Sequence, residues 1–166
     1  MSLTRRNLLF GGTALAALGA GALWMRMAPT TRAAEGPFEI EKTEAEWRSQ
    51  LTDFEYAVLR EEATERAWTS DLLEEKRAGT FICKGCDLPL FSSETKYDSR
   101  TGWPSFWTPI NDSAIGESTD HLLGYARTEV HCARCGGHQG HVFPDGPPPT
   151  GLRYCINGVS LKFVPA

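Results

Sequence analysis

Apolar and polar positions along the chain change period near Gly79. Beyond it, short runs rich in β-branched and aromatic residues are cut by Gly, Pro, Asn and Asp, at 80–83, 89–92, 110–111, 122–130, 141–143 and 151–163. Runs of that kind between turn residues predict strands in antiparallel sheets stitched by loops. Before Gly79 the spacing is helical. Thr43-Glu44-Ala45-Glu46 has the form of a capping box, and Trp47 with Leu51 supplies an i, i+4 apolar pair. Thr52-Asp53-Phe54-Glu55 repeats the box, with Phe54, Ala57 and Val58 continuing a helical face into the charged run Arg60-Glu61-Glu62. The expected fold is mainly β (α+β), with short N-terminal helices segregated to one end. Trp47 and Trp68 are read as packing anchors, and the charged run as a solvated helix face.

The first residues read as an address. Arg5-Arg6 precedes an uncharged Ala/Gly/Leu-rich segment at 7–25 and then Arg26, the pattern of a twin-arginine signal. Thr31, Ala33 and Ala34 suit cleavage after Ala33. The expected division is a signal over 1–33, a linker over 34–42 and one domain over 43–166. That route places the domain in the periplasm, or at the membrane if the apolar segment is retained as an anchor. Arg5, Arg6, Arg26 and Arg32 leave with the signal and no acid does, so the remainder is more acidic than the whole chain, whose formal charge is −4. An acidic domain argues against nucleic acid as a partner, since phosphate binding needs a basic face.

Chemistry concentrates in the cysteines and histidines. Four of the five cysteines form two C-x-x-C pairs, Cys83 with Cys86 and Cys132 with Cys135. Two such knuckles around a long insert have the spacing of a structural Cys₄ zinc site, which contributes directly to folding. Gly85 and Gly136 are expected where each knuckle turns tightly. Two disulfides, a thioredoxin-like redox pair or a rubredoxin-like iron centre are the other readings of the same cysteines.

The fifth cysteine is Cys155. Strand alternation in LRYCINGVSL puts it on one face with Arg153 and Asn157, and a cationic neighbour lowers a thiol pKa from about 8.5. Cys155 is thus a candidate nucleophile, or else a buried packing cysteine. His138 and His141 stand outside a ligand set already filled by thiolates, and imidazole chemistry suits them as proton carriers, unless they are simply histidines held in a turn. His131, just ahead of Cys132, is read as a cap on the knuckle, and His121 as a surface residue. TGWPSFW, residues 101–107, supplies either core or an aromatic wall for a small apolar group such as a methyl.

The segments FICKGCDLPLFSSETKYDSRTGWPSFW, HCARCGGHQGHVFPDGPPPTGLRYCINGVSLKF and KTEAEWRSQLTDFEYAVLREEATERAWTS closely resemble the B-type methionine sulfoxide reductases, over roughly residues 37 to 164. The resemblance implies two antiparallel β-sheets in a tent- or barrel-like domain and a Cys₄ zinc remote from catalysis. It implies thiol-dependent reduction of methionine (R)-sulfoxide in peptides or proteins. Cys155 is then the nucleophile that becomes a sulfenic acid, while His138, His141 and Asn157 bind and protonate the sulfoxide oxygen. Trp103 packs on the substrate methyl, and Arg153 lies beside the nucleophile. A sulfoxide is a poor electrophile until its oxygen is protonated, so a thiolate and a proton donor belong in one pocket.

The chain departs from many members in having Ser99-Arg100-Thr101 where a resolving cysteine stands just ahead of GWPSF. Direct reduction of Cys155 by an external thiol, thioredoxin-like or small, is therefore expected, with no intramolecular disulfide. A non-catalytic zinc-ribbon binding module and a Cys–His hydrolase acting through an acyl-enzyme remain the competing readings.

Overall fold

A computed structural model of the chain describes residues 37–166. The expected signal, its cleavage site and the start of the linker lie outside the described residues. Among those described, no helix is long and apolar enough to cross a membrane.

Both capping boxes form. Thr43 caps α1 (Glu44–Gln50) and Thr52 caps α2 (Asp53–Glu61), each side chain accepting from the N3 backbone while the N3 glutamate accepts from the cap backbone. The reciprocal bonds are 2.7 Å at Glu46 and 2.8 Å at Glu55. α1 buries Trp47, and α2 buries Tyr56, Val58 and Leu59. Phe54 turns to solvent, so the buried face of α2 is not the one its first turn suggests.

Among the described residues, nine strands form two antiparallel sheets. The smaller has the order β2-β1-β9, from β1 (Gly79–Cys83), β2 (Pro89–Ser92) and β9 (Leu161–Pro165). The larger has the order β3-β4-β8-β7-β6-β5, from β3 (Lys96–Tyr97), β4 (Ser105–Phe106), β5 (Ile115–Asp120), β6 (Arg127–Cys132), β7 (His138–Phe143) and β8 (Arg153–Ile156). Aromatic contacts join the sheets. Phe91 of the first stacks on Phe106 of the second at 4.4 Å, and Phe81 meets Phe106 edge-on at 5.0 Å. All three rings are fully buried, and burial of this size dominates the stability of a domain of this length.

Several expectations change. The run at 122–130 is not one strand: it is the tip of the β5–β6 hairpin followed by most of β6. The run at 151–163 splits into β8 and β9, in different sheets, around a 3-10 turn at Gly158–Ser160. At that break Asn157 leaves the ladder, its side chain bonding Glu65 N–H and the Gln139 carbonyl. Residues 110–111 form no strand, because Asn111 bonds Ser113 and opens a turn. Trp68 is not a core anchor: it is 63% exposed, its N–H bonded to the Gly102 carbonyl and its indole lying over Gly102. The linker, visible from residue 37, is docked. Phe38 meets the His131 ring edge-on at 5.8 Å, and Ile40 N–H bonds the Arg134 carbonyl.

Thr52→Ala removes one half of the α2 capping box. The unfolding free energy from urea titration is expected to fall by about 1 kcal/mol.

Candidate active site and metal centre

The two knuckles are backbone twins. Cys83 N–H bonds the Leu88 carbonyl and Asp87 N–H bonds the Cys83 carbonyl, and the same pair recurs between Cys132, Gly137 and Gly136. The left-handed residue is Asp87 in the first knuckle (φ 59°) and Gly136 in the second (φ 66°). Gly85, expected to turn the first knuckle, has no such conformation. Gly136 is also required by space, since a Cβ there meets the Phe38 ring at 2.3 Å.

The knuckles bring the sulfurs of Cys83, Cys86, Cys132 and Cys135 within 4.8 Å of one another, with only Cys86 partly exposed. The closest pairs, Cys86 with Cys132 at 3.5 Å and Cys83 with Cys135 at 3.7 Å, are too long for disulfide bonds. All five cysteines are free. Hydrogen bonds from its three neighbours hold the Cys83 thiol up, and those same contacts hold Cys86 down. Four crowded thiols cannot all ionise beside one another without a central cation, and this donor set fits a thiophilic metal ion.

Two of the candidate catalytic residues, Cys155 and His141, lie in one row across the large sheet. Register partners Ser105–Cys155, Cys155–His141, His141–Glu129 and Glu129–Ser118 line up over β4, β8, β7, β6 and β5. Directly paired residues share a face, so all five side chains point the same way. His138 lies three residues from His141 and in a regular strand faces the other side. A bulge at Gln139 restores it, because His138 pairs with His131 while Gly140 pairs with Val130. The His138 and His141 rings then meet edge-on at 5.5 Å. Cys132, paired with Ile115, faces the opposite side of the sheet and joins the core.

Each histidine leans on a carboxylate. His138 Nδ1 is 2.7 Å from Glu129 Oε1, and His141 Nε2 is 2.9 Å from Asp120 Oδ2. Glu129 also accepts from Ser118, and Asp120 from Arg127. Burial opposes the charge on Asp120, but the Leu122 N–H, His141 and Arg127 together bring its pKa down to about 2. Burial likewise lowers His141, against the pull of Asp120 and with help from Arg127. His131 does not cap its knuckle by a hydrogen bond: its Nδ1 is buried without a hydrogen-bond partner, 3.9 Å from Glu129 Oε2, and its ring covers Gly116. His121 is exposed, as read.

A cavity of about 110 Å³ opens on this row, lined by Trp103, Phe143, Cys155, His141, Asn157 and Arg127 among others. Trp103 is fixed by its indole N–H, which donates to the Glu65 carbonyl at 2.8 Å. Asn157 is 3% exposed, and its amide is already engaged by Glu65 and Gln139. His138 does not line the cavity itself but touches the His141 ring that does. Arg153 makes a bidentate pair with Asp145 at 2.8 and 2.9 Å, and its guanidinium stacks on Phe143 of the cavity wall.

Burial raises the Cys155 thiol above its ordinary value, and Thr101 and the Arg153 charge oppose this without overcoming it. The expected lowering by Arg153 is therefore present but outweighed by desolvation. Thr101 Oγ1, just ahead of Trp103, lies 3.8 Å from Cys155 Sγ. Asp120, Glu129, Arg127, Phe143 and Glu65 escaped the sequence reading. Their roles depend on strand register and a bulge, and no local motif announces either.

Residues 51–165 match the family model described as SelR domain. The chain belongs to the SelR-domain family. A peptide methionine sulfoxide reductase MsrB of Pseudomonas putida (strain W619) is 59% identical over 127 residues, covering 76% of this chain and 96% of that protein. One of the same description from Agrobacterium fabrum is 52% identical over 127 residues, with 76% and 94% covered. Another from Thiobacillus denitrificans is 54% identical over 124 residues, with 75% and 94% covered. The matched SelR span holds both knuckles, the cavity and the two carboxylates that support the histidines.

Cobalt titration of the reduced SelR domain is expected to give a thiolate charge-transfer band that saturates at about one equivalent. Cys132→Ser should weaken the band and lower the melting temperature. Alkylation of Cys155 by iodoacetamide should accelerate only as pH rises past the ordinary thiol value, with its midpoint above that of a free cysteine.

Proposed function

We propose that this chain reduces methionine sulfoxide in peptides or proteins, acts on the R epimer, and uses Cys155 as the nucleophile. The observation that carries the reading is the pairing of Cys155 with His141 on neighbouring strands, at the wall of a cavity closed by Trp103 and Phe143. A thiol and a proton-carrying imidazole face a small pocket with apolar walls, which suits a group that is a methyl on one side and an S–O dipole on the other. The substrate class comes from the names of the relatives, and the epimer from the family resemblance.

The oxygen-transfer step balances within the pocket. The proton leaves Cys155 and goes to the sulfoxide oxygen through the histidine side of the site, which makes the protonated S–O group a better electron acceptor. The substrate S–O bond breaks and the substrate sulfur takes the electron pair, giving the thioether. Cys155 sulfur loses two electrons, gains the oxygen with its hydrogen, and becomes a sulfenic acid. One unengaged hydrogen on the Asn157 amide nitrogen remains to donate to the sulfoxide oxygen, because only one is used at Gln139.

Two equivalents of an external thiol then reduce the sulfenic acid, releasing water and a disulfide of that thiol. Thr101 beside Cys155, and the placement of Cys132 on the far side of the sheet, support an external reductant over an internal one. Thioredoxin-like proteins and small thiols both fit. The four knuckle cysteines are assigned to zinc, because tetrahedral all-thiolate sites with paired C-x-x-C spacing favour it. Bound by Cys83, Cys86, Cys132 and Cys135, zinc would tie β1 to β6 and support the fold, with a structural role only.

Export by the twin-arginine route to the periplasm also belongs to this reading, supported by Arg5, Arg6 and the apolar segment after them. That route carries folded proteins, so the metal site can be filled before its thiols meet an oxidising compartment.

The test is reduction of separated R and S epimers of a methionine sulfoxide peptide with dithiothreitol, by the wild type and Cys155→Ser. Turnover of the R epimer alone, abolished in the variant, is expected. After one turnover without reductant, mass spectrometry should find Cys155 oxidised and no disulfide to Cys83, Cys86, Cys132 or Cys135. Absence of turnover in folded, metal-loaded protein would return Cys155 to a packing role.

A further inference from the structure

We propose that Asp120 is a positioning residue for the reaction, acting on it only through His141. The inference rests on the reductase reading above. Asp120 closes β5, and its carboxylate is a hub: Oδ1 accepts the Leu122 N–H at 2.7 Å, while Oδ2 meets His141 Nε2 at 2.9 Å and the Arg127 guanidinium. The side chain is only 10% exposed, and burial of the carboxylate is offset by these donors, so Asp120 stays ionised at any working pH.

An ionised carboxylate only accepts hydrogen bonds. His141 Nε2 must therefore carry a hydrogen whether the ring is neutral or charged. In the neutral ring Nδ1 is then the bare nitrogen, and it is the one left for the cavity that His141 lines. The charged and titratable groups facing His141 are Asp120 from β5, Arg127 and Glu129 from β6, His138 on its own strand, and Cys155 with Arg153 on β8. Burial and Arg127 favour the neutral ring, and Asp120 favours the cation.

The division of labour follows. The resting pair is a thiol and a neutral imidazole whose free Nδ1 can take the thiol proton. Asp120 stabilises the imidazolium that results, and Nδ1 passes the same proton to the sulfoxide oxygen. Without Asp120 the ring is free to flip or change tautomer, and its cation loses its nearest counter-charge. Glu129 holds His138 from the Nδ1 side in a comparable way, but His138 does not reach the cavity.

The experiment uses Asp120→Asn in the full, metal-loaded chain, with the R-sulfoxide peptide and dithiothreitol. A kcat loss of about 100-fold with little change in KM is expected, because the amide no longer enforces the tautomer. The pH limb assigned to His141 should move to lower pH, since a raising influence is gone. Nitrogen-15 spectra should place the His141 hydrogen on Nε2 in the wild type and spread it over both nitrogens in the variant. Asp120→Glu should recover part of the rate, and Asp120→Asn/His141→Asn should be no slower than His141→Asn alone.

An active wild type with an unchanged rate and pH limb in Asp120→Asn overturns the assignment. So does a double variant slower than His141→Asn by the full Asp120→Asn factor. A wild type inactive on both epimers overturns the reductase reading and this inference with it, a result distinguishable from the other two.

Discussion

The site depends on one close approach. At Gly140 the strand carrying the histidines runs so near its neighbour that a Cβ would lie 2.0 Å from the Cys155 carbonyl oxygen. Only a residue without a side chain permits that pairing, and the pairing sets His141 opposite Cys155. One residue earlier, the Gln139 bulge decides which face His138 occupies. Its own side chain is fully buried and accepts from Ser160 Oγ, while its amide donates to the Gly137 carbonyl. Gly140 sets the distance between the strands, and Gln139 sets the direction of the ring.

A second layer of support comes from outside the sheet. Glu65 holds the site from behind: its carbonyl takes the Trp103 indole, its amide donates to Asn157, and its carboxylate accepts the Gly158 N–H at 2.6 Å. Burial raises the pKa of that carboxylate, which its two backbone donors only partly offset. One residue following α2 thus fixes the aromatic wall, the amide at the strand end and the turn that sends β9 to the other sheet. The pocket is shaped as much by these buried polar bonds as by apolar packing.

The elements that were legible in the sequence are those whose cause is local. Thr43 and Thr52 announce their helices, because a capping box is complete within four residues. The cysteine pairs announce their cluster, and the alternation of Tyr154 and Ile156 with Arg153 and Cys155 is visible in the strand itself. Hidden features have distant causes. Nothing near Trp68 shows that it rests on Gly102, and nothing near 122–130 shows where the hairpin turns. Asp120 lies 21 residues from the histidine it contacts, and Glu129 lies 9 from its own. A period-two reading separates His138 from His141, and only the bulge reunites them.

The large sheet has one more consequence. Cys155 opens on the cavity, while Cys132 points through the sheet into the core beside its three partners. The layer of hydrogen-bonded backbone between them is a partition between two thiol chemistries in one small domain. Whatever enters by the cavity meets Cys155 first, and Cys132 on the far face is screened from that route. A reagent admitted to one face of the sheet has to cross hydrogen-bonded backbone to reach the other.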